Sequence, residues 1–294
     1  MRIALIFDKT RPDTTGVYFE RACRALHLDA DQYWLRDASR IPATYDLYIR
    51  IDQGDDYLTR LPERLRPVVF YAIDTHMRHS WPKIRRTAGW YDMVCCCHRD
   101  AARRLRGARW LPLACDFELH GAVTKETRQW DLAFVGNDGG VPRKFVLQAL
   151  RERYPNSFVG TADYHTLGAI YGDARIGFNY SIANDVNMRV FEVLAGGALL
   201  VTNALPGDDF DRLGLRDRQH LVVYRNAREL VEALEYFLAR SAEREAIARV
   251  GADVVRARHT YVHRMQELLT GVSQQFGVAL PRSVHQESFT CGPS

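Results

Sequence analysis

Short apolar runs separated by stretches of helical period set the pattern of the chain. One set of runs occupies residues 2–7, 45–51, 68–74, 93–97 and 110–114, and a second occupies 131–136, 157–160, 175–180, 198–203 and 220–224. The runs IALIF, VVFYAI and ALLVT are almost continuously apolar instead of alternating. That pattern predicts strands covered on both faces, as in parallel sheets. Helical spacing fills the gaps at 18–26, 100–105, 144–153, 165–171, 190–195 and 229–238. Strand and helix in alternation predict an α/β chain with two doubly wound parallel sheets. A polar segment, 119–130, divides the two sets. A helical stretch runs over 260–276, and the breaker-rich end, 281–294, reads as a loose tail.

At 294 residues, 47% hydrophobic and 26% charged, the chain has the length of two ordinary domains and the composition of a globular protein. No apolar run reaches the ~20 residues that a membrane span requires. The apolar run in the opening MRIALIFDKT is too short for a signal peptide and reads as a buried first strand, which predicts a cytoplasmic protein. The six cysteines, Cys23, Cys95, Cys96, Cys97, Cys115 and Cys291, are then reduced thiols. Cys95, Cys96 and Cys97, followed by His98, lack the spacing of a zinc clamp. They are read as small core residues, and no metal is expected. Net charge is only +4, but between residues 60 and 109 twelve Lys and Arg stand against four Asp and Glu. Solvated helix faces account for most such runs. A surface for an anionic acceptor or polymer is the sharper alternative.

The densest candidate for chemistry is NMRVFEVLAGGALLVTN, residues 187–203. Asn187, Arg189 and Glu192 open an apolar helix, and a helix start suits phosphate because its N–H groups are unpaired. An arginine there pairs with a diphosphate, and a carboxylate one turn further in accepts hydrogen bonds from the vicinal hydroxyls of a ribose. The plainer reading is a surface Arg–Glu pair at i, i+3 with Asn187 as helix cap. Ser181 lies in the preceding loop, near strand ends where ligands collect. In the same half, DLAFVGN ends at Gly136 and Asn137, and Arg143 and Lys144 begin the next helix. Glycine lets a ligand approach the backbone, and the two cations either pair with phosphate or merely decorate the helix start. Gly160 ends the following run, where a base would rest. In the first half, Thr14, Thr15 and Gly16 precede a helix as a cap or an anion cradle. Asp74 ends the run 68–74, and His76 follows it. They are either the base that takes a proton from an acceptor hydroxyl, or a helix cap and a structural histidine.

The string Asn187, Arg189, Phe191, Glu192, Leu194, Ala195 and Gly197 resembles the C-terminal signature of glycosyltransferases with the GT-B fold. It is most similar to the spore maturation protein CgeB-like group of the glycosyl transferases group 1 family. The resemblance implies two Rossmann-like domains facing a cleft: an acceptor-side domain over 1–118 and a nucleotide-sugar domain over 131–258. It also implies a helix within 259–280 that crosses back to the first domain. It assigns the ribose to Glu192, a phosphate role to the stretch of Gly136 and Arg143, the donor-facing loop to Gly16, and an acid to Asp74. The wider retaining family often carries a second glutamate eight positions before Glu192; Asn184 stands there, so retention and inversion both stay open.

The implied activity is transfer of a hexosyl group from a nucleotide-diphosphate donor of the UDP type, without a metal or other cofactor, to an acceptor hydroxyl. Two rivals remain. One is transfer to an anionic polymer such as modified DNA, motivated by the basic stretch. The other is a nucleotide-binding protein that kept the fold and lost the chemistry.

Overall fold

The computed structural model describes residues 1–54, 56–121 and 127–285. The centre of the segment 119–130, Cys291 and most of the tail 281–294 lie outside the described residues. The chain divides into two compact units: Met1–Pro112 with the described residues from Tyr261 onward, and Leu113–Thr260.

The first unit runs β1 (Arg2–Ile6), α1 (Thr15–Ala25), β2 (Asp29–Tyr33), β3 (Leu47–Ile51), β4 (Val68–Ala72), α2 (Trp81–Thr87), β5 (Met93–Cys96), α3 (Arg99–Arg104) and β6 (Arg109–Trp110). Its strands pair in parallel in the order β2-β1-β3-β4-β5-β6. The continuous apolar runs do what their pattern predicts: every residue of β3 and β4 is buried. β2 was not legible as a strand. Its sequence DADQY is polar because it pairs with β1 alone at the sheet edge and is buried at none of its positions.

The second unit runs α4 (Phe117–His120), β7 (Trp130–Val135), α5 (Arg143–Arg153), β8 (Ser157–Gly160), α6 (Tyr164–Gly172), β9 (Ala174–Asn179), α7 (Met188–Ala195), β10 (Leu199–Asn203), α8 (Asp209–Arg212), β11 (Val222–Tyr224), α9 (Ala227–Ala239) and α10 (Ser241–Arg258). Its sheet is also wholly parallel, in the order β11-β10-β9-β7-β8. Leu132, Phe134, Ile176, Phe178, Leu199 and Val201 form the centre of its core. The sequence pattern did not show α10, because its buried face is Arg244, Ile247, Ala248, Gly251 and Val255, a stripe in which only Ile247 and Val255 are large and apolar. Arg128, inside the segment read as polar linker, is buried and donates to the carbonyls of Gly172, Ala174 and Gly197.

After Thr260 come α11 (Tyr261–Phe276) and α12 (Arg282–His285). The apolar stripe of α11 lies on α1, where Tyr261 stacks on Tyr18 at 5.1 Å and meets Phe19 edge-on at 5.5 Å.

Candidate active-site residues

In an open parallel sheet the ligand crevice lies outside the carboxyl ends of the strands, where the strand order reverses. In the second unit that point falls between β7 and β9, because the chain leaves β7 for β8 on one side and returns to β9 on the other. Gly136 follows β7 directly, Tyr180 and Ser181 follow β9, and the first turn of α7 brings in Arg189.

Arg189 is held on three sides. Its Nε donates to the Val135 carbonyl at 2.9 Å and its Nη1 to Asn179 Oδ1 at 3.1 Å, while the guanidinium lies 4.2 Å from the centre of the Phe134 ring. Gly136 makes this possible. Its φ is +136°, and a Cβ built there would sit 2.4 Å from Arg189 Nη2. Asn179 is fully buried. Its amide donates to Thr202 Oγ1 at 3.0 Å, and its Oδ1 accepts from both Arg189 and Asn187 Nδ2, the latter at 3.3 Å. Asn187 occupies the N-cap position of α7 without capping it; its Oδ1 is buried and makes no hydrogen bond.

Arg143 reaches the same place from α5. It donates to the carbonyls of Asp138 and Asn137 at 2.9 Å each and to that of Tyr180 at 3.3 Å, and it too lies over Phe134, at 5.5 Å. Burial first, and the neighbouring Arg189 charge second, lower the Arg143 pKa; Asp138 and Asp185 oppose this. Two guanidinium groups thus share one aromatic ring with partial compensation, a site that favours an anion.

The other predicted residues distribute around this pair. Gly136, Asn137, Lys144 and Gly160 line a cavity of about 630 Å³ at the ends of β7 and β8, together with Leu147, Val159 and Arg151. Ser181 does not present its hydroxyl: its Oγ donates to Asp185 Oδ1 at 2.5 Å and accepts the Asp185 N–H at 2.9 Å, which closes the loop before α7. Glu192 is half-buried one turn after Arg189, and among the described residues nothing hydrogen-bonds its carboxylate.

In the first unit, Gly16 is explained by packing, since a Cβ there would lie 2.3 Å from the Phe7 ring. Asp74 follows β4, and the next helix, α2, takes Ser80 as its N-cap residue, so Asp74 does not cap it. A buried carboxylate that the sequence did not single out, Asp52, organises the Asp74 turn. Asp52 Oδ2 accepts the N–H groups of Ile73 and Asp74 at 2.9 Å each, and Oδ1 accepts that of Gly54 at 2.9 Å. Gly54 has φ +80°, and a Cβ on it would stand 2.5 Å from Asp74 Oδ2. His76 is exposed and meets the His98 ring edge-on at 4.9 Å; His98 Nδ1 hydrogen-bonds Thr75 Oγ1 at 2.7 Å. Cys23, Cys95, Cys96, Cys97 and Cys115 are buried free thiols, and burial pushes Cys23, Cys95 and Cys96 up to about 12, so these three stay protonated near neutral pH.

Among the described residues no helix is long and apolar enough to cross a membrane. No curated protein matches the sequence. Among solved structures, Anabaena HepE, determined with UDP and glucose, matches with a TM-score of 0.69 at 11% identity, over 93% of this chain and 100% of that one. Sucrose-phosphate synthase from Thermosynechococcus elongatus matches at 0.65 and 13%, over 95% and 100%. The DNA-modifying enzyme β-glucosyltransferase matches at 0.61 and 12%, over 94% and 99%. At such identities the likeness establishes the fold, which is GT-B, as the signature string implied. The glycosyl transferase-like family matches residues 100–270, more than half of the sequence, and the chain belongs to that family.

Proposed function

We propose that the chain transfers a sugar from a nucleoside-diphosphate donor, with UDP as the nucleotide, to an acceptor hydroxyl. The observation that carries the reading is the Arg189–Arg143 pair over Phe134 at the switch point of the second sheet. A diphosphate relieves the repulsion between two guanidinium groups and accepts the N–H groups they do not spend on the protein. Glu192, with no protein partner for its carboxylate among the described residues, is assigned the ribose hydroxyls. The cavity bounded by Gly136 and Gly160 has the size class of small-ligand pockets and is assigned the base. HepE, whose structure was determined with UDP and glucose, shares this fold. Arg143, Arg189 and Lys144 supply positive charge for the diphosphate, so the reading needs no divalent ion. Within the family, the 187–197 string supports the CgeB-like group, and the buried free cysteines suit a reducing, cytoplasmic setting.

Asp74 is assigned the role of base if the reaction inverts. The acceptor O–H proton passes to its carboxylate while the acceptor oxygen bonds to the anomeric carbon. The bond from that carbon to the diphosphate breaks, and its electron pair leaves with UDP. His76 is the alternative base. Calorimetry of UDP against the wild type and Glu192→Ala tests the donor half. The wild type should bind, and the variant should bind about 10- to 100-fold more weakly, as expected for a lost hydrogen bond to a charged group. Equal affinity in a folded variant removes the ribose assignment, and no binding to the wild type removes the donor reading.

A further inference from the structure

The basic stretch of the first unit keeps its charge in the folded protein. Three of its four acids are spent locally: Glu63 on Arg60 at 3.0 Å, Asp92 on Arg66 at 2.9 Å and Asp100 on Arg104 at 3.4 Å. Arg78, Lys83, Arg85, Arg86, Arg103 and Arg106 are all exposed, and among the described residues none of them meets a carboxylate. They lie on α2, on the end of α3, and on the turns beside these helices. The two helices are neighbours, since the Arg104 guanidinium covers the Trp81 ring at 5.0 Å. Arg78, the first of the six in the chain, is four residues from Asp74.

From this charge, and resting on the sugar-transferase reading above, we infer that the α2–α3 face docks a nucleic-acid duplex as the acceptor polymer. Charge complementarity selects a polyanion. Six unpaired cations face a partner that carries about one negative charge per 1.7 Å of duplex axis, and each phosphate neutralised releases counter-ions. Five of the six are arginines, whose planar fork matches phosphate oxygens two at a time. A single strand fits less well, because binding it calls for free aromatic faces. The three tryptophans of this stretch are half-buried and already covered: Trp81 by Arg104, Trp90 by Arg60 and Trp110 by Arg99. The assignment concerns backbone contacts, which position a duplex without reading its sequence.

The test is fluorescence anisotropy of the full chain with a labelled duplex of about two helical turns, titrated across salt. Six phosphate contacts predict an affinity loss of about 1000-fold between roughly 50 and 200 mM salt. Arg85→Ala with Arg86→Ala should reduce the slope of log affinity against log salt by about 2. Arg249→Ala with Arg256→Ala removes the same charge from the second unit and should leave the slope unchanged. Absence of salt-sensitive binding overturns the proposal, as does a slope that falls equally in both double variants. A sulfated polysaccharide that binds more tightly and displaces the duplex also overturns it and hands the face to that polymer. UDP calorimetry on the same samples separates the two readings. Duplex binding without UDP binding keeps the surface and sinks the donor site, whereas UDP binding without duplex binding does the reverse.

Discussion

Gly136→Ala puts the organisation of the nucleotide site to a direct test. The substitution adds one methyl group, yet two costs follow from the geometry. A φ of +136° is a conformation that side chains rarely adopt, and holding a non-glycine residue in such a region costs roughly 1–3 kcal/mol. The new Cβ also lies 2.4 Å from Arg189 Nη2, so the guanidinium must move. Movement puts at risk its hydrogen bonds to Val135 O and Asn179 Oδ1. Each is a bond from a charged donor, of a kind worth about 1.5–3 kcal/mol. Losing one of them beside the strain destabilises the unit by about 2.5–6 kcal/mol, and at about 2–4 °C per kcal/mol for a unit of this size the melting temperature drops by at least about 5 °C. UDP affinity should fall ~10-fold or more if the displaced arginine is a phosphate ligand. Gly140→Ala is the matched control: Gly140 also has positive φ, +76°, but a Cβ there meets nothing within 4 Å. It carries strain alone, so it should melt earlier than wild type and bind UDP normally. Differential scanning fluorimetry and calorimetry on both variants decide the matter. If Gly136→Ala and Gly140→Ala bind UDP equally well, Arg189 is not the phosphate ligand.

Arg189→Lys keeps the charge and discards the fork, and it should still weaken UDP binding about 10-fold, because lysine cannot reproduce two oriented bonds to the protein while facing a phosphate; unchanged affinity in calorimetry would mean that charge alone suffices. Asp74→Asn should cut transfer by about 100- to 10,000-fold while UDP affinity and melting temperature hold, and near-normal turnover in a radiolabelled-sugar assay would move the base to His76 or leave a retaining reaction that needs none. Gly54→Ala should slow transfer in the same assay without changing UDP affinity, since its Cβ would crowd Asp74 Oδ2 at 2.5 Å, and a variant with wild-type turnover would dissociate that carboxylate from the chemistry. His220, buried and beside Arg216 and Arg258, has its pKa lowered from 6.5, and its Nδ1 accepts the Arg216 N–H at 2.9 Å. The unfolded chain therefore takes up a proton as pH falls through 6.5 while the folded imidazole stays neutral, so this contribution is whole above that pH and fades below it. Melting temperatures measured from about pH 7.5 to 5 should decline more steeply for wild type than for His220→Gln, and parallel curves would show that His220 has no part in the decline.

What the sequence conveyed, and what it withheld, follows from range. Nearly continuous apolar runs announced β1, β4 and β10, because burial on both faces favours apolar residues, and shorter apolar runs announced β3 and β7, although β3 buries Arg50 within it. β2 escaped because an edge strand need not be apolar, and α10 because a helix packed through Ala248 and Gly251 shows no strong stripe. Within the site, Arg189 stood out by its neighbours in the chain, whereas Asn179 did not. Its role depends on register: β9 and β10 place Asn179 opposite Thr202, and only that pairing turns its other amide atom toward Arg189. Asp52 escaped for the same reason, since its three N–H partners lie on two separate strand ends. Arg143 illustrates the converse. Its position at a helix start left a phosphate ligand and a surface cation both open, and the three backbone carbonyls that draw it inward are encoded by no local pattern.

The return of α11 to the first unit bears on the order in which the protein is made. Tyr18 and Phe19 on α1 pack against Tyr261, which the ribosome adds after all of the second unit has been synthesised, while Phe19 also meets Tyr71 of the first unit edge-on at 5.3 Å. The two ends of that second unit lie side by side, bridged where Cys115 pairs with Thr260 and its N–H reaches the His259 carbonyl at 3.1 Å. An internal segment whose ends meet can close as a unit before the chain is finished. The half that begins the polypeptide is therefore the last to be completed. Until α11 arrives, α1 keeps a bare flank, a surface for a chaperone to cover, while the later-born half already stands folded.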